Sequence, residues 1–151
     1  MIERPSPPEP DKILESLEGR WRIVRRIPGT ARLRGVADFT PLRAGQLAYK
    51  ETGTLLLANG QTTTAEREYI FAAAPAGFDV YFVESPPRLF HEARLSLSNA
   101  VLVAECEHLC IADNYRSRYR WRSADRFSIF HRVKGPRKNY CMVTTYTRIE
   151  D

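Results

Sequence analysis

His108, Asp113 and Tyr115 fall within one short stretch, and side chains of these types can run acid–base chemistry. Asp113 would orient the His108 imidazole while the Tyr115 phenol donates to a ligand carbonyl or oxyanion. The same stretch has a plainer reading, since Asp113-Asn114 is an ordinary turn pair whose carboxylate caps local amides, and that reading is preferred. Cys106, His108 and Cys110 alternate, so a regular strand projects all three from one face. The outer two then lie roughly 13 Å apart at the rise of a strand, which excludes a single zinc held by all three, and no metal is expected. His91 precedes Glu92, and alternation sends that carboxylate to the opposite face, so the two are not an acid–base couple. A neutral imidazole at His91 or His108 can accept a ligand proton or bind haem iron. Haem is the one cofactor considered, and none is expected.

Gly135-Pro136-Arg137-Lys138-Asn139-Tyr140 brings two cations to a turn whose amides could receive a carboxylate or phosphate. Without phosphate-loop glycine spacing it reads as a turn carrying solvated charge. There is no Gly-x-Ser-x-Gly elbow, no His-Glu-x-x-His and no paired-cysteine zinc module.

The element that positions the aromatic candidates is legible in Tyr115 to Ser123, which read Tyr-Arg-Ser-Arg-Tyr-Arg-Trp-Arg-Ser. A period of two puts Arg116, Arg118, Arg120 and Arg122 on one face of a strand and Tyr115, Ser117, Tyr119, Trp121 and Ser123 on the other. Four guanidiniums cannot line a dry core, so the aromatic and hydroxyl face points inward. That inward face is too polar for ordinary packing and suits the wall of a ligand cavity.

Four prolines among residues 1–10 mark a tail, and the folded domain is expected over 11–151. Asp11 is placed to cap a short helix running to about Glu18, with Ile13, Leu14 and Leu17 on one face and Gly19 as its stop. Strand-like runs follow at about 20–27, 34–40, 46–57, 62–72, 78–84, 88–97, 100–107, 115–123, 126–134 and 139–149, with turn residues between them. Sequential antiparallel strands with tight turns predict a closed up-and-down barrel of about eight to ten strands with a short N-terminal helix, which leaves no sheet edge exposed. At Asn59-Gly60 a two-residue turn would set Glu51 opposite Glu68, like charge against like. A three-residue loop with Gly60 left-handed sets Glu51 opposite Arg67 and Tyr49 opposite Tyr69. The second register predicts a Glu51–Arg67 pair beside two tyrosines, on either face of the sheet.

The chain has 151 residues, 43% hydrophobic and 27% charged, with a net charge of +5, which fits one soluble domain with a real core. No apolar run is long enough to span a bilayer, and the N-terminus lacks the apolar core of a secretory signal. Three cysteines rule out a full disulfide framework, so a reducing cytoplasm is expected. The positive charge is spread along the chain and mixed with acids, which favours a solvated surface over a nucleic-acid footprint.

Gly19-Arg20-Trp21 after the helix, with Thr147-Arg148 closing the last strand, resembles the lipocalin-like or calycin barrels. The resemblance implies that Trp21 plugs the closed end and that Arg148 packs over its indole. Longer stretches resemble an uncharacterised bacterial domain-of-unknown-function family with a lipocalin-like fold. They are Tyr49-Lys50-Glu51-Thr52-Gly53, Arg67-Glu68-Tyr69, Phe90-His91, His108 through Tyr115, Trp121, Gly135 through Tyr140, and Thr145-Tyr146-Thr147-Arg148. That resemblance implies the fold and lends no catalytic residues.

The reading is therefore a barrel holding a small, partly apolar molecule among Tyr49, Glu51, Arg67, Tyr69, His91, His108, Tyr115, Tyr119 and Trp121, with a homodimer left open. Glu51–Arg67 would be its polar anchor and a histidine its specific hydrogen bond. The competing readings are an isomerase or cyclase of the same fold, haem-linked chemistry included, and nucleic-acid binding through the Arg116–Arg122 face.

Overall fold

Alternating burial runs along most of the chain after Gly19, and each alternation belongs to a strand. In a computed structural model, residues 6–110 and 112–150 are described, with the backbone alone at 109 and 110. A 3-10 turn at Pro10–Lys12 leads into α1 (Ile13–Leu17). The strands are β1 (Gly19–Ile27), β2 (Ala31–Arg43), β3 (Gln46–Leu57), β4 (Thr62–Ala74), β5 (Gly77–Phe82), β6 (Arg88–Arg94), β7 (Ser96–Ser98), β8 (Val101–Cys110), β9 (Asp113–Ser123), β10 (Arg126–Lys134) and β11 (Asn139–Arg148). They form one antiparallel sheet in the order β6-β5-β4-β3-β2-β1-β11-β10-β9-β8-β7. The sheet curls until β6 packs beside β8, giving a nearly closed, lipocalin-like barrel.

Closure is incomplete because no ladder joins β6 to β8. The single run expected over 88–97 is split for the same reason. Its first part pairs with β5 and its second with β8, and between them Leu95 turns inward to 6% exposure. The chain thus crosses from one edge of the sheet to the other at Leu95, and the barrel has eleven strands. Gly35 and Gly53 face each other across β2 and β3. A Cβ on Gly35 would stand 2.1 Å from the Thr52 carbonyl oxygen, so the two backbones approach more closely than any side chain allows.

Asp11 does not cap the helix as expected. It sits inside the 3-10 turn, and its carboxylate accepts the Ala76 N–H at 3.2 Å, tying the segment to the β4–β5 turn. Of the proline-rich tail, residues 1–5 lie outside the described residues and 6–9 carry no regular structure.

α1 covers one end of the barrel with Ile13 and Leu17, both 1% exposed. Trp21 is fully buried there and donates its indole N–H to the Leu17 carbonyl at 2.9 Å. Phe127 stands edge-on to Trp21 and stacks on both Tyr146 and Trp121. Arg148 lies opposite Trp21 in the β1–β11 ladder. Its guanidinium sits 4.3 Å over the indole and donates to the carbonyls of Ser16, Glu18 and Ala124 and to the Asp125 carboxylate. This end is packed solid, and the space lies toward the other.

Candidate functional site

A cavity of about 430 Å³ opens at the end away from α1, within the roughly 300–1,000 Å³ range of small-molecule sites. Its wall carries all three histidines of the chain and six of its seven tyrosines. Strand alternation delivers most of them: Tyr49 and Glu51 from β3, Arg67 and Tyr69 from β4, Tyr115 and Tyr119 from β9.

The β6 contribution needs more than alternation. Val80 pairs with His91 but Tyr81 pairs with Leu89, so Phe90 is an extra residue in that strand. Such a bulge re-aims side chains, and here the consecutive Phe90 and His91 both reach the cavity.

Of the nine candidates, all but Trp121 line this space. Trp121 faces inward, but one pair closer to the closed end, where Tyr119 and Phe127 stack on it and leave no exposed surface. The alternation of 115–123 holds throughout, with its four arginines exposed and Ser117, Tyr119 and Trp121 buried. Arg116 and Arg118 meet Glu107 and Glu105 of β8 at 3.3 and 2.9 Å. Asp113 turns to Lys138 at 3.2 Å and not to His108.

Among the described residues no cluster of three or more His, Cys, Asp or Glu side chains could hold a metal ion. The Cys110 side chain lies outside those described.

The register across the Asn59-Gly60 hairpin sets Glu51 opposite Arg67 and Tyr49 opposite Tyr69. The ion pair of Glu51 is nevertheless with Arg25, which crosses the barrel from β1. Two guanidinium N–H groups donate to the two carboxylate oxygens at 2.7 and 2.9 Å, and Arg25 Nε donates to Thr144 Oγ1 at 2.7 Å. Both partners are almost fully buried. The Tyr49 hydroxyl donates to Glu51 Oε1 at 2.6 Å, so its oxygen accepts the Tyr146 hydroxyl at 2.8 Å. Burial alone would raise the Glu51 carboxyl, but hydrogen bonds and charge from Arg25, the Tyr49 bond and the nearby Arg67 hold it below its ordinary value. Tyr49 is pushed well above the ordinary phenol range by burial and by its neighbours Tyr146 and Glu51, and stays neutral.

The histidines are neutral too. Burial, with the neighbouring His108, drives His91 down to about 3, and its Nε2 lies 2.7 Å from the Tyr119 hydroxyl. Burial, then the proximity of His91 and the charges of Arg25 and Arg67, takes His131 down to about 3, with its Nδ1 2.7 Å from Ser117 Oγ. His108 is lowered by burial and by Arg88, against a backbone hydrogen bond to Phe90.

The charge left over defines the site. Arg25 and Glu51 cancel, and Arg88 pairs with Glu84 at 2.7 Å while lying over the Phe82 ring. Arg67, exposed at the rim, has no carboxylate within ion-pair distance among the described residues. The cavity therefore combines a cation at its mouth, an aromatic wall of Tyr69, Phe82 and Phe90, and neutral polar groups inside.

Arg25, His131 and Tyr146 were not among the nine candidates, although Trp21-x-Ile23-x-Arg25 and Phe127-x-Ile129-x-His131 carry the same period of two. Following that period from the buried tryptophan would have turned Arg25 inward.

No curated protein matches the chain. Among solved structures it is similar to the S-type phycobiliprotein lyase CPES of Guillardia theta, at 8% identity and TM-score 0.64, over 95% of this chain and 94% of that one. It is also similar to the protein EF1p2_mFAP2b bound to DFHBI, at 11% identity and TM-score 0.52, over 92% of this chain and 98% of that one. At these identities the likeness is one of fold. The family model that matches, over residues 17–148, spans both the barrel and the cavity, and the chain belongs to the family of unknown function DUF6314.

Proposed function

We propose that this protein binds a small amphipathic anion inside its barrel, with the acidic group at Arg67, a flat apolar body against Tyr69, Phe82 and Phe90, and Trp21 with Arg148 as the floor. The observation that carries this reading is the composition of the cavity wall. A core built only for stability would not gather three histidines, six tyrosines and a buried ion pair around open space. With Arg25 and Glu51 satisfied by each other and the histidines neutral, Arg67 is the charge a ligand would meet first.

The test is titration with 1-anilinonaphthalene-8-sulfonate followed by displacement with decanoate and with decanol. Decanoate should displace the dye at lower concentration than decanol, and Arg67→Gln should remove that preference. Ile129→Trp, which fills the cavity from β10, should abolish dye binding while the far-ultraviolet spectrum of the sheet persists. Dye binding untouched by Ile129→Trp would refute the site.

A further inference from the structure

Along the chain cations and acids are interspersed, but the barrel sorts them by strand. Five strands adjacent in the sheet, β2, β1, β11, β10 and β9, carry 15 of the 23 Lys and Arg residues and only two of the 18 Asp and Glu residues. Those two acids, Asp38 and Asp113, are already paired with Arg20 and Lys138. The other six strands carry four cations and seven acids. One side of the barrel is therefore a cationic surface.

Part of its charge is met by the glutamates of β8, which take Arg116 and Arg118. Arg22, Arg26, Arg34, Arg120, Arg122 and Arg126 are exposed and have no carboxylate within ion-pair distance among the described residues.

The register sets these six on either side of β11. One rung of the sheet runs Arg120, Ser128, Thr145, Val24, Arg34, and its neighbour toward the open end runs Arg118, Phe130, Val143, Arg26. On the other side of the first rung Arg126, Thr147 and Arg22 stand in line. Long side chains thus rise from β9 and the start of β10 on one flank and from β1 and β2 on the other, with short ones between. Ser128, Val143 and Thr145 floor a groove of about 400 Å³, and Arg120, Arg122 and Arg126 form its wall. β9 and β1 are three ladder steps apart, so the two arginine flanks stand about 14 Å from each other. Phe130 and Val143, each 38% exposed, lie side by side at one end.

Two arginine flanks and a hydroxyl floor are complementary to a line of phosphodiesters. Guanidiniums donate to phosphate oxygens from both sides, and the hydroxyls of Ser128, Thr145 and Thr147 donate from below. We infer that this outer face holds a single strand of nucleic acid, with its backbone along β11 and a base stacked on Phe130. A duplex keeps its bases stacked inside and leaves Phe130 without a partner. A flat anionic bilayer meets the arginine tips but not the floor. The contacts are to backbone and ring face, so the binding is independent of sequence. The site lies on the outer wall, and its fate does not depend on the cavity.

Fluorescence anisotropy of the full chain with a labelled oligothymidylate of about 12 nucleotides tests this. About four neutralised phosphates give a slope near −3 for log affinity against log salt, a fall of about 50-fold between about 50 and 200 mM. Arg120→Ser with Arg122→Ser, and separately Arg22→Ser with Arg26→Ser, should each weaken binding about tenfold or more and flatten that slope by about 1.4. Arg116→Ser with Arg118→Ser removes the same net charge from arginines already paired, and should change affinity less than about threefold. Circular dichroism checks that each variant keeps its sheet. Equal losses in all three double variants would reduce the effect to net charge and overturn the site. So would a duplex of the same length bound as tightly as the strand, or displacement of the strand by vesicles of equal phosphatidylglycerol and phosphatidylcholine at matched charge. No anisotropy change up to about 100 μM protein at low salt overturns nucleic-acid binding altogether.

Discussion

Replacing Glu51 with Gln keeps the shape of the side chain and removes one charge from the centre of the barrel. The carboxylate accepts three hydrogen bonds, two from Arg25 and one from Tyr49. Glutamine has one oxygen to offer, and its NH₂ group faces an Arg25 N–H in either orientation, and the Tyr49 O–H as well in one of them, donor against donor. Arg25, 5% exposed, is left a buried cation without a counter-charge, holding one bond to the glutamine oxygen and one to Thr144. Breaking a buried pair in this way costs about 3–5 kcal/mol. For a domain of this size that lowers Tm by roughly 6–20 °C.

Arg25→Met combined with Glu51→Leu removes both charges and should recover most of the loss. What remains is a Tyr49–Tyr146 pair one acceptor short and a Thr144 hydroxyl without its donor, about 1–2 kcal/mol together. Urea unfolding followed by tryptophan fluorescence measures all three chains. A cost under about 1 kcal/mol for Glu51→Gln, or a double variant no more stable than the single one, would refute the argument that the pair is buried and mutually dependent.

The neutral histidines make stability fall on acidification. His91 and His131 sit near 3 in the fold and at the ordinary 6.5 when unfolded, so the unfolded chain takes up protons first as pH drops. Their contribution is complete above the unfolded value and should shrink by about 2 kcal/mol per ring by pH 5, read as a falling urea midpoint that flattens in His131→Asn. A midpoint constant from pH 7 to pH 5 would show the rings free to charge. Arg148→Met removes the cation over Trp21 and the donors to three carbonyls. It should cost about 2–3 kcal/mol in the same unfolding assay. Gly35→Ala places a methyl group against the Thr52 carbonyl oxygen and should cost about 3 kcal/mol. Gly29→Ala, whose Cβ meets nothing within 4 Å but whose φ is +73°, serves as the control for left-handed strain alone.

The parts of this molecule that follow from chain-local chemistry were legible in advance. Alternation in Tyr115–Ser123 put the arginines outside, and like-charge repulsion at the Asn59-Gly60 hairpin chose the register that pairs Tyr49 with Tyr69. What escaped depends on contact across the barrel. Facing strands are not neighbours in the ladder, so no pairing rule says that Arg25 will meet Glu51, or that Tyr119 will meet His91. The bulge at Phe90 also has no turn residue to announce it, yet it decides which β6 side chains enter the cavity. Trp121 was assigned to the wall because alternation reports a side chain's face and not its depth.

The pairing of β1 with β11 has a consequence for the chain as it is being made. The segment Trp21–Arg26 ladders onto Val143–Arg148, so one edge of β1 has no partner until β11 has emerged. At ordinary translation speeds that interval is on the order of ten seconds, during which the hairpins from β2 onward can form behind an open edge. An unpaired edge invites strands from other nascent chains. The outward side chains of β1 include Arg20, Arg22 and Arg26, all exposed, and repulsion between like-charged edges opposes the meeting of two such intermediates. The same arginines that stand on the surface of the closed barrel are thus placed to disfavour a foreign strand at the edge that β11 later fills.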